Sequence, residues 1–97
     1  MALRTEELAK TIDHTQLSPN ATRAVIERTC EEAIDHHFAS VCIFPFYVPL
    51  AATLLKTQDV KVCTVISFPF GADTNVTKVR AAENAVESGA DEVEFVI

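Results

Sequence analysis

Apolar and polar positions along this chain alternate between two rhythms. Val25, Ile26, Thr29, Cys30, Ala33 and Ile34 recur at the spacing of one helical face. Residues 60–69, VKVCTVISFP, are apolar on both parities, which marks a strand covered on both sides. Read this way throughout, the pattern predicts a short helix over 5–10 and a strand over 11–17. Ser18-Pro19-Asn20 opens the next helix, which His36 and His37 close. A strand over 39–45 and a helix over 48–56 follow, with Pro49 suited to a helix start. After the strand at 60–69 come a helix over about 74–88 and a last strand, DEVEFVI. Thr5 is the expected cap of the first helix, Thr74 or Asp73 of the last, and Gly89 ends that last helix.

Strand centres near residues 13, 42, 64 and 94 lie roughly 22–30 apart, the spacing of β-α-β units in a parallel sheet. Two α/β architectures fit: a doubly wound open sheet and part of a (β/α)8 barrel. The barrel is preferred. No strand leads into a phosphate-cradling glycine loop, so the nucleotide sites of open sheets are missing. Asp13, Cys42, Ser67 and Glu94 fall within or just beyond strand ends, where barrel active sites collect. A barrel takes about 250 residues, so the 97 residues here are expected to form one domain, residues 1–97, with four of eight βα units.

Composition narrows the picture. Hydrophobic residues make up 48% of the chain, more than so short a chain easily buries, so a partner or further chain is expected. The net charge of −6 argues against nucleic acid, and no polybasic run suits a membrane surface. No apolar stretch is long enough to span a bilayer, and the first residues, with Glu6 and Glu7, do not read as a signal peptide, so a cytoplasmic location is expected. Cys30, Cys42 and Cys63 are widely spaced, with no CxxC and no histidine in step with them. They read as small buried thiols rather than a metal site or a disulfide framework.

Several residues could carry chemistry. Asp13, in IDHT, is either a proton-handling or hydroxyl-binding carboxylate or a cap for the following turn. His14 points to the opposite strand face and reads as structural. Glu94 shares one side of its strand with Glu92 and Val96. It is either an inward acid or base tuned by desolvation, or a charged residue at an exposed edge. Cys42 shares its side with Ser40 and Phe44 and either lines a pocket or fills the core. Lys56, Lys61 and Lys78 all read as solvated surface charges, not as amine nucleophiles.

Four stretches together carry a resemblance: IDHTQLSPNAT, FASVCIFPFYVPLAATLL, VKVCTVISFPFGADT and ESGADEVEFVI. In this order and spacing they resemble deoxyribose-phosphate aldolase, over about residues 12–97. The resemblance implies a (β/α)8 barrel and a class I aldolase with no metal and no cofactor. Its reaction interconverts 2-deoxyribose 5-phosphate with acetaldehyde and glyceraldehyde 3-phosphate. A lysine forms a Schiff base with the aldehyde carbon, and a second lysine lowers the pKa of the first. The resemblance gives Asp13 and Glu94 catalytic roles, and puts Thr15 and Cys42 beside the phosphosugar or aldehyde. Glu94 stands where the family usually has aspartate. The extra methylene moves the carboxylate by about 1 Å, a displacement that can cost ~100-fold in rate. The family's lysines lie on strands six and seven, which these residues do not include. The 97-residue chain alone is therefore expected to be inactive. The rival expectation is a non-catalytic half-barrel that self-associates, as a homo-oligomer through open sheet edges, or complements a partner chain.

Overall fold

A computed structural model describes residues 3–97. The elements run α1 (Thr5–Ala9), β1 (Asp13–Gln16), α2 (Arg23–His36), β2 (Ser40–Ile43), α3 (Val48–Leu54), β3 (Lys61–Ile66), α4 (Asn75–Glu87) and β4 (Glu92–Phe95), with a 3-10 turn at Pro45–Tyr47 leading into α3. The four strands form one parallel sheet in the order β1-β2-β3-β4. That is the expected α/β arrangement, with the short extra N-terminal helix in place.

The helices bury one face of the sheet. Val41 and Ile43 of β2 and Val62 and Ile66 of β3 pack with Ile26, Cys30 and Ala33 of α2, Val48 and Ala51 of α3 and Ala85 of α4. This face is made by the period of two in the strands meeting the period of 3.6 in the helices. Thr64 also lies on this side, fully buried, and its hydroxyl donates to the Ile43 carbonyl at 2.6 Å. The bond crosses from β3 to β2 and satisfies the polar atom that burial would otherwise strand.

Helix ends differ from the expectation in instructive ways. α2 starts at Arg23, not at Ser18-Pro19-Asn20, because Thr22 caps it, its Oγ1 accepting from the Val25 N–H at 3.3 Å. The Ser18-Pro19-Asn20 stretch makes a separate turn, closed by the Ala21 N–H donating to the Ser18 carbonyl at 3.1 Å. Thr5 is the first residue of α1 and not its cap; Arg4 holds that position without a side-chain bond. Thr74 caps α4, accepting from the Thr77 N–H at 3.3 Å, whereas Asp73 turns back to Ser67. Gly89 follows α4 with φ +116°, and a Cβ there would lie 2.6 Å from that of Ala52, so the position needs glycine on two counts.

At the N-terminal end of the strands Lys10 ties three segments together. Its Nζ donates to the carbonyls of Phe38 and Asp59 and to the Asp59 carboxylate at 2.8 Å. Asp91 makes a comparable tie just before β4. It donates through its N–H to the Val62 carbonyl and accepts the Val62 N–H, both at 2.8 Å.

The fourth unit is the least covered. Val76, Val79 and Val86 of α4 and Phe95 of β4 are exposed. Leu3, Leu8, Phe46 and Phe70 are exposed elsewhere, so the surplus of apolar residues noted in the composition is spread over the surface, with one part of it along this edge of the sheet.

Candidate functional site

The sheet's other face carries chemistry rather than bulk. Strand register sets Thr15 opposite Cys42, Cys42 opposite Cys63, Cys63 opposite Glu92, and Val65 opposite Glu94. Alternate residues point the same way, so Asp13, Thr15, Cys42, Cys63, Val65, Glu92 and Glu94 share this side. Cys42 and Cys63 are 3% and 2% exposed and form a small cluster with Val65, Leu17 and Phe44. Phe44 meets Phe68 edge-on, with ring centroids 5.8 Å apart.

The Cys63 Sγ–H donates to Glu94 Oε1 at 3.7 Å. Burial raises the Cys42 thiol above its ordinary value; the adjacent Cys63 thiol opposes this, while the charges of Glu94 and Asp13 add to it. Burial likewise raises Cys63, reinforced by Cys42, Glu94 and Glu92. Cys30, on the helix-covered face, is pushed up to about 11 by burial and by Glu31. All three are therefore protonated, weakly nucleophilic thiols at neutral pH.

Asp13 opens β1, so it stands at the start of its strand and not at the strand's end as the sequence suggested. Its carboxylate caps no turn; it accepts the buried Ser40 hydroxyl at 2.7 Å across the β1–β2 pair. Thr15 is beside it, donating to the Asp13 carbonyl at 2.8 Å. Glu94 is on the expected side of β4, and its residue is exposed. His14 turns to the helix side, its Nε2 3.0 Å from Glu32 Oε1, as a structural histidine should.

The loop after β3 is the other polar feature. Ser67 has φ +61°, and its hydroxyl donates to Asp73 Oδ2 at 2.9 Å. Gly71, at φ +67°, closes this loop onto the end of β4: a Cβ there would meet the Ile97 carbonyl oxygen at 2.7 Å.

Two members of the site escaped the sequence reading. Ser40 was noted only as a neighbour of Cys42, and Cys63 only as core. Strand register, which linear spacing does not encode, makes Cys63 the partner of Cys42. The structure also gathers Cys42, Cys63 and Glu94 into a group whose possible metal-donor atoms all lie within 4.8 Å of one another.

Among the lysines, Lys61 shares the strand parity of Cys63, at the N-terminal end of β3, and the others lie off the sheet. Lys10 is engaged with Asp59, and Lys56 follows α3. Lys61 is the exposed first residue of β3, and Lys78 lies on α4.

Comparison with known proteins adds a family. The profile described as DeoC/LacD family aldolase matches residues 8–97. A deoxyribose-phosphate aldolase from Thermoanaerobacter sp. is 58% identical over 90 residues, covering 93% of this chain and 40% of that protein. One from Clostridium perfringens is 55% identical over 92 residues, covering 95% and 41%. A solved deoxyribose phosphate aldolase from Aeropyrum pernix, described as a tetramer, superposes with a TM-score of 0.89 at 35% identity, covering 95% of this chain and 39% of that one. The chain spans about 40% of the length of the curated relatives it matches.

Proposed function

Since the chain belongs to the DeoC/LacD family of aldolases, we propose that residues 1–97 are one domain, supplying strands one to four of a deoxyribose-phosphate aldolase-type (β/α)8 barrel. The substrate class is a phosphosugar and its aldehyde fragments. The observation that carries this reading is the polar face on four adjacent strands, with Asp13, Thr15, Cys42 and Glu94 all on the side away from the helices.

In a Schiff-base aldolase an amine attacks the aldehyde carbon, water leaves, and the iminium draws electrons from the adjacent carbon so that its proton can depart. Glu94 is the proton carrier in this reading, with Asp13 as the second carboxylate. Thr15 and Cys42 line the aldehyde pocket; the Cys42 thiol, held protonated by burial, offers an S–H and an uncharged wall, not a competing nucleophile. Desolvation of Glu94 awaits whatever covers the open face. The reaction needs no metal or cofactor. Three unpaired cysteines fit a cytoplasmic location, and nothing in the charge pattern favours nucleic acid or a membrane partner.

Because no lysine of the described residues stands beside Glu94, the 97-residue chain is expected to lack aldolase turnover. Incubation with acetaldehyde and borohydride should leave its mass unchanged; a stable adduct mapped to a single lysine overturns the assignment of the amine to another part of the protein.

A second reading rests on the open edges. Among the described residues β1 pairs only with β2, and β4 only with β3, while α4 and β4 expose Val76, Val79, Val86 and Phe95. Unpaired edges with apolar flanks favour a half-barrel that associates with itself or with a complementary half. The tetrameric Aeropyrum relative is in keeping with a homo-oligomer. Sedimentation at high concentration distinguishes the two, since a clean monomer removes the self-associating form.

A further inference from the structure

We propose that Cys42, Cys63 and Glu94 form a binding site for a thiophilic divalent cation, Zn2+ or Cd2+, spanning β2, β3 and β4. The proposal goes beyond the aldolase reading and does not depend on it.

The geometry comes from the backbone. Parallel pairing sets Cys42 directly opposite Cys63, and Glu94 follows two residues after Glu92, the β4 partner of Cys63. All three donor atoms lie within 4.8 Å of one another, and Cys63 Sγ to Glu94 Oε1 is 3.7 Å. Around a tetrahedral zinc, bond lengths of about 2.3 Å to sulfur and about 2.0 Å to oxygen put two sulfurs about 3.8 Å apart and sulfur and oxygen about 3.5 Å apart. The resting arrangement needs little change to reach this. The thiols are fixed by the sheet, and the exposed Glu94 side chain is free to close the remaining gap. The fourth position faces the open side of the sheet, so water would complete the shell.

The chemistry balances without a redox step. The cation binds two thiols and one carboxylate, two S–H bonds break, and two protons pass to solvent as two metal–sulfur bonds form. Soft sulfur donors select Zn2+ and Cd2+ over Mg2+ or Ca2+, which prefer an all-oxygen shell. Cys30 is an internal control: it is buried in the helix-side core, in the cluster that excludes Cys42 and Cys63.

The test is titration of the 97-residue chain with Cd2+ under a phosphine reductant, read by sulfur-to-cadmium charge-transfer absorption and by mass-mapped maleimide labelling. One equivalent should bind, and it should protect Cys42 and Cys63 while leaving the labelling rate of Cys30 unchanged. Cys63→Ser should abolish the absorption. Glu94→Gln, a change on the exposed surface that keeps the fold, should weaken binding at least about 10-fold. Cys30→Ala should bind as the parent does. Absence of the absorption in the folded parent, protection of Cys30 instead of the pair, or full affinity in Glu94→Gln would each overturn the site.

Discussion

Neighbouring residues of the same strand lead different lives in this molecule. On β2, Val41 and Ile43 point into a core built by three helices, whereas Ser40 and Cys42 point to the opposite side, where only Cys63, Val65, Leu17 and Phe44 gather. The first face contributes most of the buried apolar surface and hence most of the stability. The second holds thiols and hydroxyls, with three carboxylates, Asp13, Glu92 and Glu94, in exposed residues. A sheet divided in this way can vary its chemistry on one side without disturbing what folds it on the other.

The sharpest way to break the contrast is to cut into the helix-covered face. Ile66→Ala is expected to cost about 2–5 kcal/mol, from lost transfer energy and the cavity left behind. In a small one-sided domain this should largely remove the cooperative urea transition followed by circular dichroism; a loss under 1 kcal/mol by the same estimate would mean the core is not where the packing places it. Thr64→Val keeps the shape but deletes the 2.6 Å bond to the Ile43 carbonyl. It should cost about 1 kcal/mol, with the midpoint shifted and the slope unchanged.

The smallest effect lies at the rim, on neither face. The Lys10 ammonium, hydrogen-bonded to Asp59, holds that carboxyl below its ordinary value of 3.8, with His37 contributing. A depressed folded-state pKa stabilises the protein above the unfolded value and is lost as pH falls through the lowered one. Acid unfolding of the parent should therefore steepen below pH 3.8, and Lys10→Met should flatten that limb while leaving the slope at neutral pH unchanged. An identical acid limb in both proteins would show that the tie contributes nothing.

How much of this could be read from the chain depended on whether the signal was local. The β3 run, apolar on both parities, and the Gly89 stop were legible because one segment carries the whole pattern. The family resemblance, resting on four stretches at once, pointed to the fold, and strand alternation set Glu94 on the side of Glu92 and Asp13 opposite His14. Other features were set by tertiary partners. Thr22 outcompetes Ser18 and Asn20 as the α2 cap because the chain leaves β1 through a turn first, which composition does not reveal. Asp13 opens its strand because strand limits follow pairing with Ser40. The exposure of Glu94 reflects how little packs over β4, and the pairing of Cys63 with Cys42 is a matter of register. None of these can be obtained from spacing alone.

The most direct measurement compares two adjacent positions on β2. Ile43→Ala and Cys42→Ala each remove a buried side chain one residue apart, on opposite faces. With both variants unfolded in urea beside the parent, Ile43→Ala should lose about 2–5 kcal/mol and Cys42→Ala about 1 kcal/mol or less. Equal losses, or a larger one for Cys42→Ala, would contradict the division of the sheet into a face that folds the chain and a face that carries its chemistry.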